Sequence, residues 1–140
     1  MTKDKLTIDF LYLDLTTCRR CQATDVVFDE ALNELREELK KVKELTINKT
    51  RITSDKEAKK RRVLRSPTIR LNGVDIEKLL VGKTDVTDNY CADCKGICGK
   101  SCSEVTGGGG KCRTFEYRGK SYNSPPKEMI KEAIRRELSK

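Results

Sequence analysis

The chain has 140 residues, a net charge of +8, charged side chains at 37% of positions, seven cysteines and no histidine. A chain of that length supports one hydrophobic core without covalent staples. Without imidazole, Ser-His and Cys-His hydrolase chemistry is excluded, and any metal site must be built from thiolates with carboxylates in support. No run of residues approaches the length of a membrane span, and Lys3, Asp4 and Lys5 precede no apolar signal core, so the chain is expected to be cytoplasmic. In that reducing compartment seven cysteines point to catalysis or metal binding rather than to static disulfides. The basic balance predicts attraction to anions but does not specify which.

Residues 6–15 are aliphatic, aromatic and β-branched, the composition of a mostly buried strand. Downstream, Val27, Phe28, Ala31, Leu32, Leu35, Leu39 and Val42 recur at steps of three and four, which predicts one long helix with a single apolar stripe. Between them stands Cys18-Arg19-Arg20-Cys21, so Cys18 is placed at a helix N-terminus. Unpaired backbone N–H groups and the positive end of the helix dipole there favour a thiolate, and Arg19 and Arg20 add fixed positive charge. Thiolate is the nucleophile of disulfide exchange, and Cys21, one turn on, is placed to resolve a mixed disulfide. Half a metal site, or two buried thiols without chemistry, are the alternatives.

Leu45, Ile47 and Ile52 alternate with polar residues with one slip and predict a second strand. Ser54 and Glu57 form a capping-box pattern that opens a short basic helix, which must stop near Arg65 because Pro67 disfavours helix at Ser66. Its charges, Lys56 to Arg65, read as a solvated face rather than a nucleic-acid contact, since aromatic residues for base stacking are scarce. Thr68–Leu71 predicts a third strand, Asn72-Gly73 a hairpin turn, and residues 74–76 a fourth strand. Residues 82–113 turn to Cys, Gly, Asp and Lys, with glycine at every position from 107 to 110, and form an insertion too poor in apolar residues to pack a core. Residues 114–117 and 120–122 flank Arg118-Gly119 as a small hairpin. Ser124-Pro125-Pro126 then opens a last helix with Met129, Ile130, Ala133, Ile134 and Leu138 as its stripe.

An α/β order of β-α-β-α-β-β-α, with C-x-x-C at the first strand-to-helix turn and Pro67 just before the third strand, resembles the thioredoxin-like superfamily. The matching stretches are residues 10–21 and Ser66-Pro67-Thr68-Ile69-Arg70-Leu71-Asn72-Gly73. Within it, the pairing of Cys18-Arg19-Arg20-Cys21 with a C-terminal cysteine cluster resembles a branch of short prokaryotic proteins without an assigned function. The resemblance implies a single thioredoxin-like domain over 1–140, interrupted by the Cys-rich insertion before the last helix. It also implies a thiol-disulfide oxidoreductase in which Cys18 attacks, Cys21 resolves and Pro67 is a cis-proline facing both, with no cofactor required. Thioredoxins usually carry Trp before the first cysteine and Gly-Pro between the two; Thr17 and Arg19-Arg20 stand there instead, and Tyr12 occupies the place of the usual buried acid. With Arg65 beside the proline, Arg19, Arg20, Arg65 and Ser66 would line a positive mouth suited to an anionic protein or small-molecule thiol or disulfide.

Cys91, Cys94, Cys98, Cys102 and Cys112 fall within twenty-two residues. Zinc held by Cys91, Cys94, Cys98 and Cys112, with Cys102 as a substitute ligand, would order a segment that cannot fold on apolar contacts alone. The spacing is not the paired C-x-x-C of a zinc ribbon, and disulfides, a thiol relay to Cys18 and Cys21, or an iron–sulfur cluster remain alternatives. The rival functions are therefore a metal- or metalloid-binding protein and a zinc-stabilised interaction module.

Overall fold

The β-forming residues Lys5–Tyr12 make β1, the central strand of the main sheet. The computed structural model describes residues 4–12, 19–52, 55–61, 68–82, 87–90, 111–122 and 124–139. Helices α1 (Arg19–Glu34) and α2 (Arg36–Leu39) carry the chain back to β2 (Glu44–Arg51), as a parallel neighbour requires. After α3 (Asp55–Lys60), β3 (Thr68–Leu71) lies antiparallel on the other side of β1, followed by β4 (Val74–Asp75), in the order β2-β1-β3-β4. The architecture is mixed α/β.

Leu6, Ile8 and Phe10 of β1 share one face with Ile69 and Leu71 of β3, and all five are fully buried. Against that face pack α1, through Phe28, Ala31 and Leu35, and α5 (Lys127–Leu138), through Met129, Ile130, Ala133 and Ile134. Phe10 ties the layers, with its ring centroid 5.4 Å from Phe28 and 5.3 Å from Tyr12. Charge also joins α5 to α1 and α2. Glu34 meets Lys127 at 2.6 Å and Lys131 at 3.0 Å, and Glu38 meets Arg135 at 3.3 Å.

Several expectations need correction. The long first helix is interrupted at Leu35, whose φ of −95° and ψ of 8° form a turn between α1 and α2. Leu35, Leu39 and Val42 nevertheless remain buried, because the turn bends the stripe around the core. β1 is described as far as Tyr12, and residues 13–15, the rest of the expected strand, lie outside the described residues. β2 forms where expected, but as an edge strand it is exposed along almost its whole length, Leu45 and Ile47 to 37% and 43%, so its sequence alternation does not become a buried face. The fourth strand stops at Asp75, whose carboxylate accepts from the Glu77 backbone N–H at 2.9 Å and caps α4 (Ile76–Val81). That helix was not expected; it ends at Gly82, whose left-handed φ of 81° suits glycine.

The insertion is not wholly without strand. β5 (Thr87–Tyr90) pairs antiparallel with β6 (Lys111–Tyr117), which pairs in turn with β7 (Lys120–Tyr122). Phe115 is fully buried and Tyr117 nearly so, and both belong to the main core. The buried Glu77 of α4 accepts the Glu116 backbone N–H at 2.6 Å, fastening the second sheet to the first helical layer. No helix among the described residues is long and apolar enough to cross a membrane.

Candidate functional site

The buried face of α1 begins in its first turn. Cys21, Thr24, Phe28 and Ala31 recur at helical spacing, and all four are fully buried. Cys21 therefore belongs to the same stripe as the core phenylalanine, although the apolar periodicity alone starts only at Val27. Helix α1 starts at Arg19, the residue after Cys18. The backbones of Arg19 and Arg20 form its first turn.

The strand ends that flank this turn are close neighbours in the sheet. β1 runs out at Tyr12, whose carbonyl accepts the Ile52 backbone N–H at 2.7 Å just past the end of β2. β3 begins at Thr68, the residue after Pro67, and Thr68 pairs with Leu11 of β1. The chain thus leaves β1 toward Cys18 and enters β3 from Pro67 at one and the same end of these neighbouring strands. Cys18, Arg65, Ser66 and Pro67 themselves lie outside the described residues, as do Cys91, Cys94, Cys98 and Cys102, and the side chains of Arg19, Arg20 and Cys112 are likewise outside them. The backbone of Cys112 is in β6, opposite Asn89 of β5.

One turn below Cys21 is a charged cluster that sequence reading missed. Lys49 of β2, in register with Phe10, places its Nζ 2.7 Å from Asp25 and 2.8 Å from Asp29 of α1, and 5.8 Å from the centroid of the Phe28 ring. Burial alone would lower the lysine pKa, but hydrogen bonds to Asp25 and then Asp29 outweigh it and the pKa is raised, so Lys49 stays charged. Its signal in the sequence was two acids four apart on α1 and a lone lysine at an otherwise apolar-facing position of β2. Among the described residues no group of three cysteines or acids is arranged to hold a metal.

A family model described as a domain of unknown function, DUF2703, matches residues 6–134. The chain belongs to that family. No curated protein and no solved structure matches the chain. The DUF2703 match runs from β1 into α5 and its range spans all seven cysteines.

Proposed function

We propose that this DUF2703 chain is a thioredoxin-like thiol-disulfide oxidoreductase working through Cys18 and Cys21. The observation that carries the proposal is the complete burial of Cys21 in the first turn of α1. A shielded second thiol, one turn from a cysteine that precedes the helix, suits intramolecular resolution better than reaction with bulk reagents. The sheet order β2-β1-β3-β4, with β1 parallel to β2 and antiparallel to β3, and the shared strand end at Leu11 and Thr68, support a thioredoxin-like arrangement. In the reaction, the Cys18 thiolate attacks a substrate disulfide, forming a mixed disulfide and releasing one substrate thiolate. Cys21, losing its proton, then attacks the Cys18 sulfur, so the pair is oxidised to a disulfide and the second substrate thiolate leaves. Two electrons pass to the substrate, and an external thiol reductant restores the pair. Arg19, Arg20, Arg65 and Ser66 would receive the anionic partner, Pro67 would stand beside it, and the setting would be the reducing cytoplasm.

Cys18 should alkylate faster at neutral pH than an exposed model thiol, and Cys21→Ser should trap mixed disulfides that Cys18→Ser does not. Because the chain lacks histidine, no imidazole titration overlaps that of the thiols, so the pH profile of alkylation reports the thiol. An ordinary rate for Cys18, or unchanged exchange in Cys18→Ser, would overturn the proposal.

A second role is favoured by the β5–β6 ladder. Pairing of Tyr90 with Lys111, and of Asn89 with Cys112, brings together the two ends of the segment that holds the cysteine cluster. Closing that segment in advance lowers the entropy cost of gathering Cys91, Cys94, Cys98 and Cys112, or Cys102 in place of one, around zinc. An iron–sulfur cluster is the lesser alternative. If Cys18 and Cys21 also capture soft metal, the chain is a metal- or metalloid-binding protein; if zinc only orders the segment, it serves as an interaction module.

A further inference from the structure

Between the β6–β7 turn and the outer side of α5 lies a cleft of about 330 Å³, lined by Tyr117, Arg118, Glu132, Arg135 and Arg136. None of these residues belongs to the thiol chemistry above. Arg118 reaches the cleft from an unusual backbone position. The Arg118-Gly119 turn has φ of 52° and 78°, and a left-handed first position favours Asn, Asp or Gly over a long side chain. This chain uses the favoured pair at its other hairpin, Asn72-Gly73, with φ of 50° and 83°.

Within the chain, the contacts of Arg118 return little. Its side chain is 73% exposed, its guanidinium lies 5.0 Å from the Tyr117 ring centroid, and its Nη2 is 3.4 Å from Glu132. An exposed pair of that length adds little stability. A residue kept in a disfavoured conformation without an evident structural return points to a task at the surface it faces.

The charges around the cleft do not balance. Glu132 is shared by Arg118 and by Arg136, whose Nη2 is 3.8 Å away, and it also accepts the Tyr117 hydroxyl at 3.3 Å. Arg135 turns its Nε to Glu38 at 3.3 Å, and Arg136 donates Nη1 to the Leu79 carbonyl at 3.4 Å. Glu128, at the rim, is exposed and lies 3.8 Å from Lys131. Two carboxylates, Glu132 and the exposed Glu128, therefore line the cleft with three guanidiniums, of which Arg118 and Arg136 meet Glu132 at distances long for charge-assisted bonds, leaving N–H donors for a ligand.

We propose that this cleft binds a small molecule through an oxyanion, a phosphate or a carboxylate, gripped between Arg118 and Arg136 beside Tyr117. The guanidinium fork matches two oxygens of either group. Burial, and then the nearby Glu132 carboxylate, hold the Tyr117 hydroxyl above its ordinary pKa, so it stays protonated, with its proton directed to Glu132. The site is independent of the proposed redox reaction and stands if that reaction is disproved.

The test is a titration of the full chain with inorganic phosphate and, separately, with succinate, each at constant ionic strength, read by amide chemical shifts around Arg118 and α5. At least one anion should saturate, with phosphate binding more tightly if the natural ligand is a phosphate ester and succinate if it is a carboxylate. Arg118→Asn and Arg136→Gln should each weaken binding at least about tenfold, the loss of roughly one charge-assisted bond. Arg118→Asn should unfold at the same or a higher temperature, because asparagine suits the turn. Failure of both anions to saturate, equal affinity in Arg118→Asn, or a lower unfolding temperature for that variant without anion would overturn the proposal.

Discussion

At Phe115 and Leu45 the same kind of apolar side chain has opposite weight, and position in the sheet decides which. Phe115 is fully buried in the common core although it comes from the second sheet, whereas Leu45 lies on the edge strand and is 37% exposed. Phe115→Ala should cost about 3–5 kcal/mol by lost transfer energy and the cavity left behind. Leu45→Ala should cost under about 1 kcal/mol, since much of that side chain never leaves water. Denaturant midpoints of the two variants measure the contrast, and similar losses would mean that the second sheet does not share the core. Cys21 falls on the Phe115 side of this division, so its sulfur is part of the packing as well as a candidate for chemistry.

At the level of elements, α1 with α2 and α5 meet through two charged rows of matching spacing. Glu30, Glu34 and Glu38 stand four apart, as do Lys127, Lys131 and Arg135. The hydrogen bond from Lys127, then that from Lys131, holds the Glu34 carboxyl below its ordinary value of 4.5, and the bond to Glu34 raises Lys127 above its ordinary 10.5. For Glu34, whose folded pKa is depressed, the stabilisation is complete above pH 4.5 and is lost as pH falls through the folded pKa. For Lys127, whose folded pKa is raised, it is complete below pH 10.5 and is lost as pH rises through the folded pKa. Stability should therefore decline at both extremes, and Glu34→Gln should flatten both limbs while lowering the plateau between them. Unfolding followed against pH for wild type and variant checks this, and an unchanged acid limb would show that the row does not couple the helices. Because the carboxylates of these pairs stay partly exposed, added salt should shrink the difference.

Across the whole molecule, two sheets share one core but the cysteines divide into two groups with different supports. Cys21 is held by α1 packing, while the cluster from Cys91 to Cys112 is reached through a two-strand ladder. If zinc orders the cluster, chelation under reducing conditions should open protease cleavage within 91–110 while fragments from β1 to α4 stay intact. Unchanged cleavage would remove zinc from the proposal. Much of the main sheet was legible in the sequence. β3 was read with its bounds, Asn72-Gly73 and Arg118-Gly119 were read as turns, and the stripe of α5 was read from Met129 to Ile134, although Glu137 is buried beyond it and Leu138 only partly. Those features depend on contacts between near neighbours: side-chain alternation, the 3.6-residue period and the tolerance of positive φ. The same local rules placed Cys18 and Cys21 at the start of a helix. They could not show that Cys21 is fully buried, that Lys49 is held by Asp25 and Asp29, or that Arg118 and Arg136 share Glu132. The α1–α2 turn escaped because Leu35, Leu39 and Val42 keep helical spacing on either side of it, and α4 escaped because Ile76 continues the strand alternation. The chain by itself thus determined most of its strands, helices and turns, with β5, α4 and the α1–α2 turn as the exceptions, since short-range sterics and periodicity act before any long-range contact exists. Only the tertiary structure decided which of those surfaces leave water and which charges meet, because burial and pairing depend on residues as far apart as Glu34 and Lys131 arriving at the same place.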